Sequence, residues 1–240
     1  MRADITPQAA RIDAHRLRHR APTRLCYIGS VLRTRADGLS GSRSPMQIGA
    51  ELYGHAGVES DVEIVCLMMQ TLAVAGLENI YLDLGHVGIY RALAGAAGLS
   101  DRQEAELFEA LQRKASAEIE ALVDSFGLGA GMRDMLLALA GLNGGEEVLP
   151  RALKVRAAAP PEVGEAIDYV EAVAAQLHRF LPDLPVHFDL AELRAYRYQT
   201  GIVFAAFVPG EGQEVARGGR YDQIGEVFGR ARPTTGFSAD

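Results

Sequence analysis

Two stretches with a two-residue period, joined by a turn-rich loop, constrain the fold of this chain more than any other feature. Residues 24–35 and Met46–Tyr53 alternate as β-strands do, and the glycine- and serine-rich residues 37–45 between them favour turns. Side chains two residues apart in a strand point to the same face, so Gln47 and Glu51 share one. The pattern predicts a hairpin with a polar face, where a hairpin that only built a core would be apolar.

Helix-like segments lie between strand-like segments at the two ends of the chain. An apolar period of three to four residues predicts a long helix over residues 101–126, which Ser100 and Gln103 would cap. Ser60 and Glu63 form a second predicted capping box, for a helix that ends near Gly76. The other predicted helices span 5–20, 131–140 and 162–180, and the other predicted strands span 79–84, 186–190 and 201–208. We therefore expect an α+β fold, with an antiparallel sheet flanked by helices and a helical insertion at about 100–182 in a single core over residues 1–240.

Charge and composition exclude several classes of protein. The 240 residues carry a net charge of −7, which gives no general attraction for nucleic acid, although residues 1–43 contain nine arginines. No apolar run approaches the roughly 20 residues that span a bilayer, and the first residues do not open a signal peptide. Cys26 and Cys66 form no CxxC pair, which excludes a disulfide framework and a classical zinc site. We expect a cytoplasmic protein with neither membrane nor nucleic-acid partners.

Four short polar segments carry side chains suited to a small zwitterion. They are residues 1–8, the hairpin, residues 193–201 and residues 218–222. An ammonium group needs carboxylate and amide acceptors, whereas a carboxylate or phosphate fits the planar fork of an arginine. The acceptors here are Asp4, Thr6, Gln47, Glu51 and Gln199, the arginines are Arg33 and Arg194, and Gly218-Gly219 would allow a close approach of the backbone.

Each of these residues taken singly also has a purely structural interpretation. A Gly-Gly pair is most often a turn, Arg194 and Arg220 could form surface ion pairs, and Glu51 could face solvent. His15 and His19 lie four residues apart on the first predicted helix without a third ligand nearby, so no metal site is predicted. Only the convergence of the four segments favours a binding site over these alternatives.

In this order the segments resemble the catalytic core of class II aminoacyl-tRNA synthetases, and in particular the histidyl-tRNA synthetase lineage. Residues 24–33 through 47–54 resemble motif 2, residues 194–204 the histidine-specific segment, and residues 218–222 through 233–237 the run into motif 3. Two single positions and one short segment depart from that pattern. Arg35 and Ala205 stand where synthetases have glutamate, and residues 194–199 read Arg-Ala-Tyr-Arg-Tyr-Gln instead of Arg-Gly-Leu-Asp-Tyr-Tyr.

Three further runs resemble the regulatory subunits of ATP phosphoribosyltransferase, which are paralogues of the synthetase. They are Met-Arg-Ala-Asp-Ile-Thr-Pro-Gln, Leu-Asp-Leu-Gly-His-Val-Gly and Gly-Phe-Ser-Ala-Asp. That resemblance implies a chain without catalysis of its own, which is needed for the activity of the short catalytic subunit in the first step of histidine biosynthesis and for feedback by histidine. It implies a hetero-oligomer with that catalytic subunit, self-association as a class II-like dimer, and histidine as effector. The dimer-forming N-terminal segment and the C-terminal end of the family are expected to be absent from this chain.

The resemblance also assigns roles to individual residues. The histidine-binding residues would be Asp4, Thr6, Gln47, Glu51, Arg194 and Tyr198, with Arg33 as a residual nucleotide or phosphate contact. Arg194 would bind the ligand carboxylate and Tyr198 would lie at the imidazole ring. The family implies no catalytic residue, cofactor or metal. Two alternatives stay open: an enzyme like histidyl-tRNA synthetase that activates histidine with ATP, and a scaffold whose pocket no longer binds.

Overall fold

The computed structural model describes residues 2–35, 42–157, 159–193, 196 and 198–240. The chain forms two compact units, one made of Met1–Ile80 with Phe204–Asp240 and the other of Tyr81–Val203. The helical insertion expected at about 100–182 falls inside the second unit. The single core over residues 1–240 stays a prediction.

In the first unit, neighbouring antiparallel strands follow the order β1, β2, β8, β7. Their bounds are β1 Thr23–Ser30, β2 Met46–Tyr53, β7 Ala216–Arg220 and β8 Thr234–Ala239. Strand β6 (Ile202–Phe207) belongs to this unit from Phe204 onward. The helical elements are α1 (Thr6–Ile12), a π-helical continuation over Asp13–Leu17, α2 (Val58–Val74) and a 3-10 turn over Glu226–Phe228. The predicted hairpin is confirmed, with its second strand at the predicted bounds and its first strand ending earlier, at Ser30.

The register of these strands places glycines beside Glu51. Glu51 on β2 pairs with Gly236 on β8, and Gly236 pairs in turn with Gly219 on β7. Two residues along the hairpin from Glu51, Tyr27 on β1 pairs with Gly49 on β2. A row of residues without side chains therefore crosses the sheet next to a glutamate.

Helix α2 packs on β2, β7 and β8 and supplies much of the core of the first unit. Its side chains Val65, Met68 and Leu72 are buried, and each contributes on the order of 1.5–3 kcal/mol by leaving water. The predicted capping box at Ser60 is wrong, because α2 begins two residues before it. The Ser60 hydroxyl donates instead to the backbone carbonyl of Gly57, at 2.7 Å.

The second unit combines short strands with most of the helices. Its elements are β3 (Tyr81–His86), α3 (Val87–Ala96), α4 (Asp101–Gln112), α5 (Ser116–Ser125), α6 (Ala130–Ala140), β4 (Asn143–Gly144), α7 (Val148–Arg156), α8 (Pro161–Phe180) and β5 (Val186–Asp189). Strands β3 and β5 pair in parallel, and β4 pairs antiparallel with β5. The α+β class is confirmed, and the parallel pair makes the strand arrangement mixed.

The long helix predicted over 101–126 is interrupted. Its capping box of Ser100 with Gln103 is present as predicted, but α4 ends at Gln112 and Lys114 adopts a left-handed conformation with φ 52°. The Lys114 ammonium lies 2.5 Å from the carboxylate of Asp189, which is buried. The apolar period runs through the break because the helices on both sides bury the same kind of face, so periodicity alone did not reveal the turn.

Candidate ligand-binding site

Glu51 is the centre of the polar face of the first unit. Its side chain projects from β2, and only 1% of its surface is exposed. The Tyr27 hydroxyl, on the neighbouring strand, donates to Glu51 Oε1 at 3.1 Å. Thr6 Oγ1 lies 3.0 Å from the same hydroxyl oxygen, and because the tyrosine has only one proton to give, Thr6 is the donor in that pair. A chain of hydrogen bonds therefore runs from Thr6 through Tyr27 to Glu51.

Gln47 joins the start of the chain to the same face. Its side-chain oxygen accepts a hydrogen bond from the backbone N–H of Ile5 at 2.9 Å, and its side chain is buried. The backbone N–H of Thr6 donates to the Asp4 carboxylate at 3.1 Å, which fixes an exposed acid beside the buried one. The structure thus brings Asp4, Thr6, Gln47 and Glu51 together, as the sequence predicts.

Two glycines, Gly49 and Gly236, line the base of this site and together form its glycine floor. A Cβ atom at Gly236 would overlap the Glu51 carboxylate and the Tyr221 hydroxyl, and a Cβ atom at Gly49 would overlap the Tyr27 hydroxyl. The polar side chains therefore lie directly on the backbone of the sheet. This close approach explains why glycine occupies both positions.

Burial dominates the electrostatics of the site. It raises the pKa of the Glu51 carboxyl well above the ordinary value, and the nearby Asp4 carboxylate raises the pKa further, although the hydrogen-bonded hydroxyls of Thr6 and Tyr27 oppose the shift. Burial and the Glu51 charge likewise raise the pKa of the Tyr27 and Tyr53 hydroxyls. The site therefore disfavours negative charge and has acceptors to offer a ligand that brings positive charge or N–H groups.

Glu51 Oε2 has no hydrogen-bond partner among the residues that the structure describes. Leaving a buried polar atom unsatisfied costs about 1–3 kcal/mol, so native proteins retain such atoms mainly where they serve a function. A ligand N–H bonded to Oε2 would remove that cost. This atom is the sharpest indication of a binding site in the first unit.

Arg33 lies in a separate pocket of the first unit, with a volume of about 420 Å³. Its guanidinium forms an ion pair with the side chain of Asp240. Arg217 lines the same pocket and pairs with Glu214 at 3.0 Å. Acidic partners thus offset both arginines, which weakens the pocket's attraction for a phosphate.

The prediction includes two further ligand contacts. Arg194 lies outside the described residues. Tyr198 belongs to the second unit, where 54% of its surface is exposed. Their roles stay predictions.

Three residues of the site have no assigned role in the expectations from sequence. Tyr27 was within the predicted hairpin but was given no role, and Tyr221 and Gly236 were read only as parts of motifs. The alternation of β1 places Tyr27 on one face, but its position over Gly49 depends on the strand register. No local sequence pattern predicts that register, so the sequence alone does not identify Tyr27 as a residue of the site.

The second unit holds a cluster of acidic side chains, formed by Asp83, Asp189 and Glu192, whose oxygens lie within 4.8 Å of one another. The ammonium of Lys114 already bonds to Asp189 there, and His187 Nδ1 lies 2.8 Å from Asp83. Burial raises the pKa of Asp189, and Lys114 opposes that shift. Since the Lys114 ammonium and the His187 ring already occupy Asp189 and Asp83, the cluster gives no argument for a metal ion.

Taken together, the antiparallel strands, the polar hairpin face and the buried glutamate define the core of a class II aminoacyl-tRNA synthetase-like protein. The sequence model for histidyl-tRNA synthetase matches residues 1–240, and the chain belongs to that family. In the part of the chain that the structure describes, no helix is both long and apolar enough to cross a bilayer.

Similar proteins narrow the family further. The ATP phosphoribosyltransferase regulatory subunit of Alkalilimnicola ehrlichii is 63% identical over 240 residues, which are 100% of this chain and 60% of that protein. A Bacillus halodurans structure, described as an ATP phosphoribosyltransferase regulatory subunit/histidyl-tRNA synthetase, has a TM-score of 0.88 at 28% identity and covers 99% of this chain and 62% of that one.

A third similarity concerns the fold alone. The ATP phosphoribosyl transferase complex of Thermotoga maritima contains a chain with a TM-score of 0.75 at 18% identity, over 100% of this chain and 80% of that one. This chain spans about 60% of the length of the curated relatives it matches.

Proposed function

We propose that this protein is a regulatory subunit of ATP phosphoribosyltransferase. It would bind the short catalytic subunit, which performs the first step of histidine biosynthesis, and would be needed both for that activity and for feedback by histidine. The observation that carries the proposal is the 63% identity to a relative of that name. Catalysis would occur on the partner chain, in the cytoplasm.

The pocket around Glu51 supports histidine as the effector. An amino acid brings an ammonium group and an imidazole N–H, and the site offers acceptors for both in Asp4, Thr6, Gln47 and Glu51. Arg194 would bind the ligand carboxylate and Tyr198 would contact the ring. Feedback requires that histidine bind one state of the assembly more tightly than another, with a coupling of typically 1–3 kcal/mol.

The proposal is tested by assaying the short catalytic subunit with this protein, with and without histidine. We expect activity only in the mixture and inhibition by histidine in the mixture. Glu51→Gln should keep the activation and weaken the inhibition, whereas Glu78→Gln, at an exposed position of the same unit, should change neither. Activation without any histidine effect would support a scaffold whose pocket is vestigial.

An enzyme like histidyl-tRNA synthetase is the second candidate. The family match favours it. Arg35 opposes it, since it places positive charge where the synthetases have a glutamate for organising ATP and magnesium. Histidine-dependent exchange of pyrophosphate into ATP by the protein alone would establish the enzyme and overturn the regulatory role.

We also propose that the protein self-associates through an exposed apolar surface of the hairpin. Ile28 and Ile48 are cross-strand partners and Met46 lies two residues along the same face, and all three are exposed. Ile28→Asp should therefore lower the mass measured by light scattering. Val74→Asp on α2, another exposed apolar position, is the matched control and should leave the mass unchanged.

A further inference from the structure

The two oxygens of Glu51 are chemically different. Oε1 accepts the Tyr27 hydroxyl, whereas Oε2 lies against Gly236 with no hydrogen-bond partner among the described residues. A proton on the carboxyl group is therefore better placed on Oε2, since Oε1 already accepts a hydrogen bond and Oε2 accepts none. Oε2 is also the oxygen that is left to meet a ligand.

Burial and the Asp4 carboxylate favour the protonated form of Glu51 in the empty pocket, and the hydrogen bonding of Thr6 and Tyr27 opposes it. The segment before α1 contributes the Asp4 carboxylate, β1 the Tyr27 hydroxyl, β2 the Tyr53 hydroxyl, and the residues after β7 the Tyr221 hydroxyl. Strand β8 presents Gly236, which has no side chain. Burial raises the pKa of Glu51, and among the described residues the charge that acts on it is the negative one of Asp4.

We infer that the ligand binds by accepting the Glu51 proton, so that a neutral imidazole ring enters and an imidazolium–carboxylate pair forms in the pocket. This inference rests on the proposed histidine site. The O–H bond at Oε2 breaks, its electron pair stays on the carboxylate, and a new N–H bond forms on the ring nitrogen. No proton is exchanged with solvent, and the total charge of protein and ligand stays constant.

This mechanism selects one class of ligand. A basic ring nitrogen can take the proton and then donate it back as a charged hydrogen bond to Oε2, which satisfies the unpartnered atom. A permanent cation would have to expel the proton into solvent. A neutral amide or alcohol side chain is too weak a base to take the proton. The pocket would thus recognise histidine by basicity as well as by shape.

The direct test is nitrogen NMR of isotope-labelled histidine bound to the protein. We expect both ring nitrogens to be protonated at about pH 7.5, where free histidine, with a side-chain pKa of about 6.5, is mostly neutral. A neutral ring in the complex would overturn the inference and leave the histidine site intact. Failure of histidine to bind at all would overturn the site and the inference together.

The pH dependence of affinity supplies a second readout. If Glu51 holds its proton in the empty pocket, the affinity measured by calorimetry should rise by less than about twofold between about pH 6.5 and 7.5, and at about pH 7.5 the binding heat should depend little on the buffer. If Glu51 were already ionised and the ring bound as imidazolium, binding would take up a proton at about pH 7.5, and the affinity would fall by about fivefold over the same range. That second result would overturn the inference.

A ligand analogue separates basicity from shape. 2-Fluorohistidine has nearly the same shape as histidine, but its ring is far less basic, so we expect it to bind more than about tenfold more weakly. Glu51→Gln retains an oxygen for Tyr27 and has no acidic proton to transfer, so it should bind the two ligands almost equally. Glu78→Gln should discriminate as the unmodified protein does. Equal binding of the two ligands by the unmodified protein would overturn the inference.

Discussion

The guanidinium of Arg220 lies 3.0 Å from the carboxylate of Asp61, and both side chains are almost completely buried. Arg220 extends from the end of β7 and Asp61 lies in the first turns of α2. Arg220 also donates to the Ser60 hydroxyl at 2.8 Å and to the backbone carbonyl of His55 at 3.2 Å. One cation therefore holds the start of α2 against the strand that leads into the glycine floor.

Breaking this ion pair should strongly destabilise the protein. Asp61→Asn removes the buried carboxylate from Arg220 and leaves it the partly exposed Asp222 carboxylate at 3.3 Å, and loss of one member of a buried pair typically costs about 3–5 kcal/mol. Urea unfolding measures this loss. Glu63→Gln breaks the exposed pair with Arg24 on the same helix and should cost less than about 1 kcal/mol. Equal losses of stability in Asp61→Asn and Glu63→Gln would contradict the prediction that the buried ion pair contributes more than the exposed one.

Gly236→Ala should block the pocket. The added methyl group would overlap the Glu51 carboxylate and the Tyr221 hydroxyl, so we expect histidine affinity to fall by more than about tenfold and stability to fall by about 1–3 kcal/mol. Calorimetry and urea unfolding measure the two effects. Gly212→Ala is the control, because its Cβ would meet no atom within 4 Å. Unchanged histidine binding in the Gly236 variant would place the ligand elsewhere.

Tyr27→Phe removes the hydroxyl that links Thr6 to Glu51. The variant leaves Glu51 Oε1 without its donor, which should cost about 1–3 kcal/mol of stability. Loss of this hydrogen bond should also raise the pKa of Glu51 further, because the bond favours the ionised carboxylate. Urea unfolding and histidine titration would both register the change. A variant as stable and as tight-binding as the unmodified protein would show that the hydroxyl is dispensable.

Stability should depend on pH through Glu51. Because burial raises the folded-state pKa of Glu51, the folded state holds a proton that the unfolded state has lost once the pH exceeds about 4.3. Stability from this group is thus complete below that pH and declines as the pH rises toward the folded-state pKa. Glu51→Gln should be more stable than the unmodified protein at pH 8, and the difference should shrink at pH 5. A constant difference would mean that Glu51 titrates normally.

The local patterns of the sequence predicted much of the fold. Strand alternation located β2, and side-chain chemistry identified the capping box at Ser100. The break at Lys114 escaped prediction because the apolar period continues through it into the next helix. Ser60 has the residue type of a helix cap, but its hydroxyl bonds to the preceding loop instead.

The candidate site was predictable only in part, for a related reason. Gln47 and Glu51 share a face by periodicity, which is a property of one strand. The Tyr27 contact and the overlap at Gly236 depend on how three strands align, and a single sequence does not encode that register in any local pattern.

The glycine floor limits how the pocket could change in evolution. Gly49 and Gly236 have no side-chain atoms to lose, so no substitution on the floor can enlarge the site, and any other residue there would fill it. A descendant that accepted a bulkier ligand would need a smaller side chain in place of Tyr27 or Glu51, which line the sides of the site. These residues also bind the ligand, so the size of the site could not change without a change in the groups that recognise the ligand.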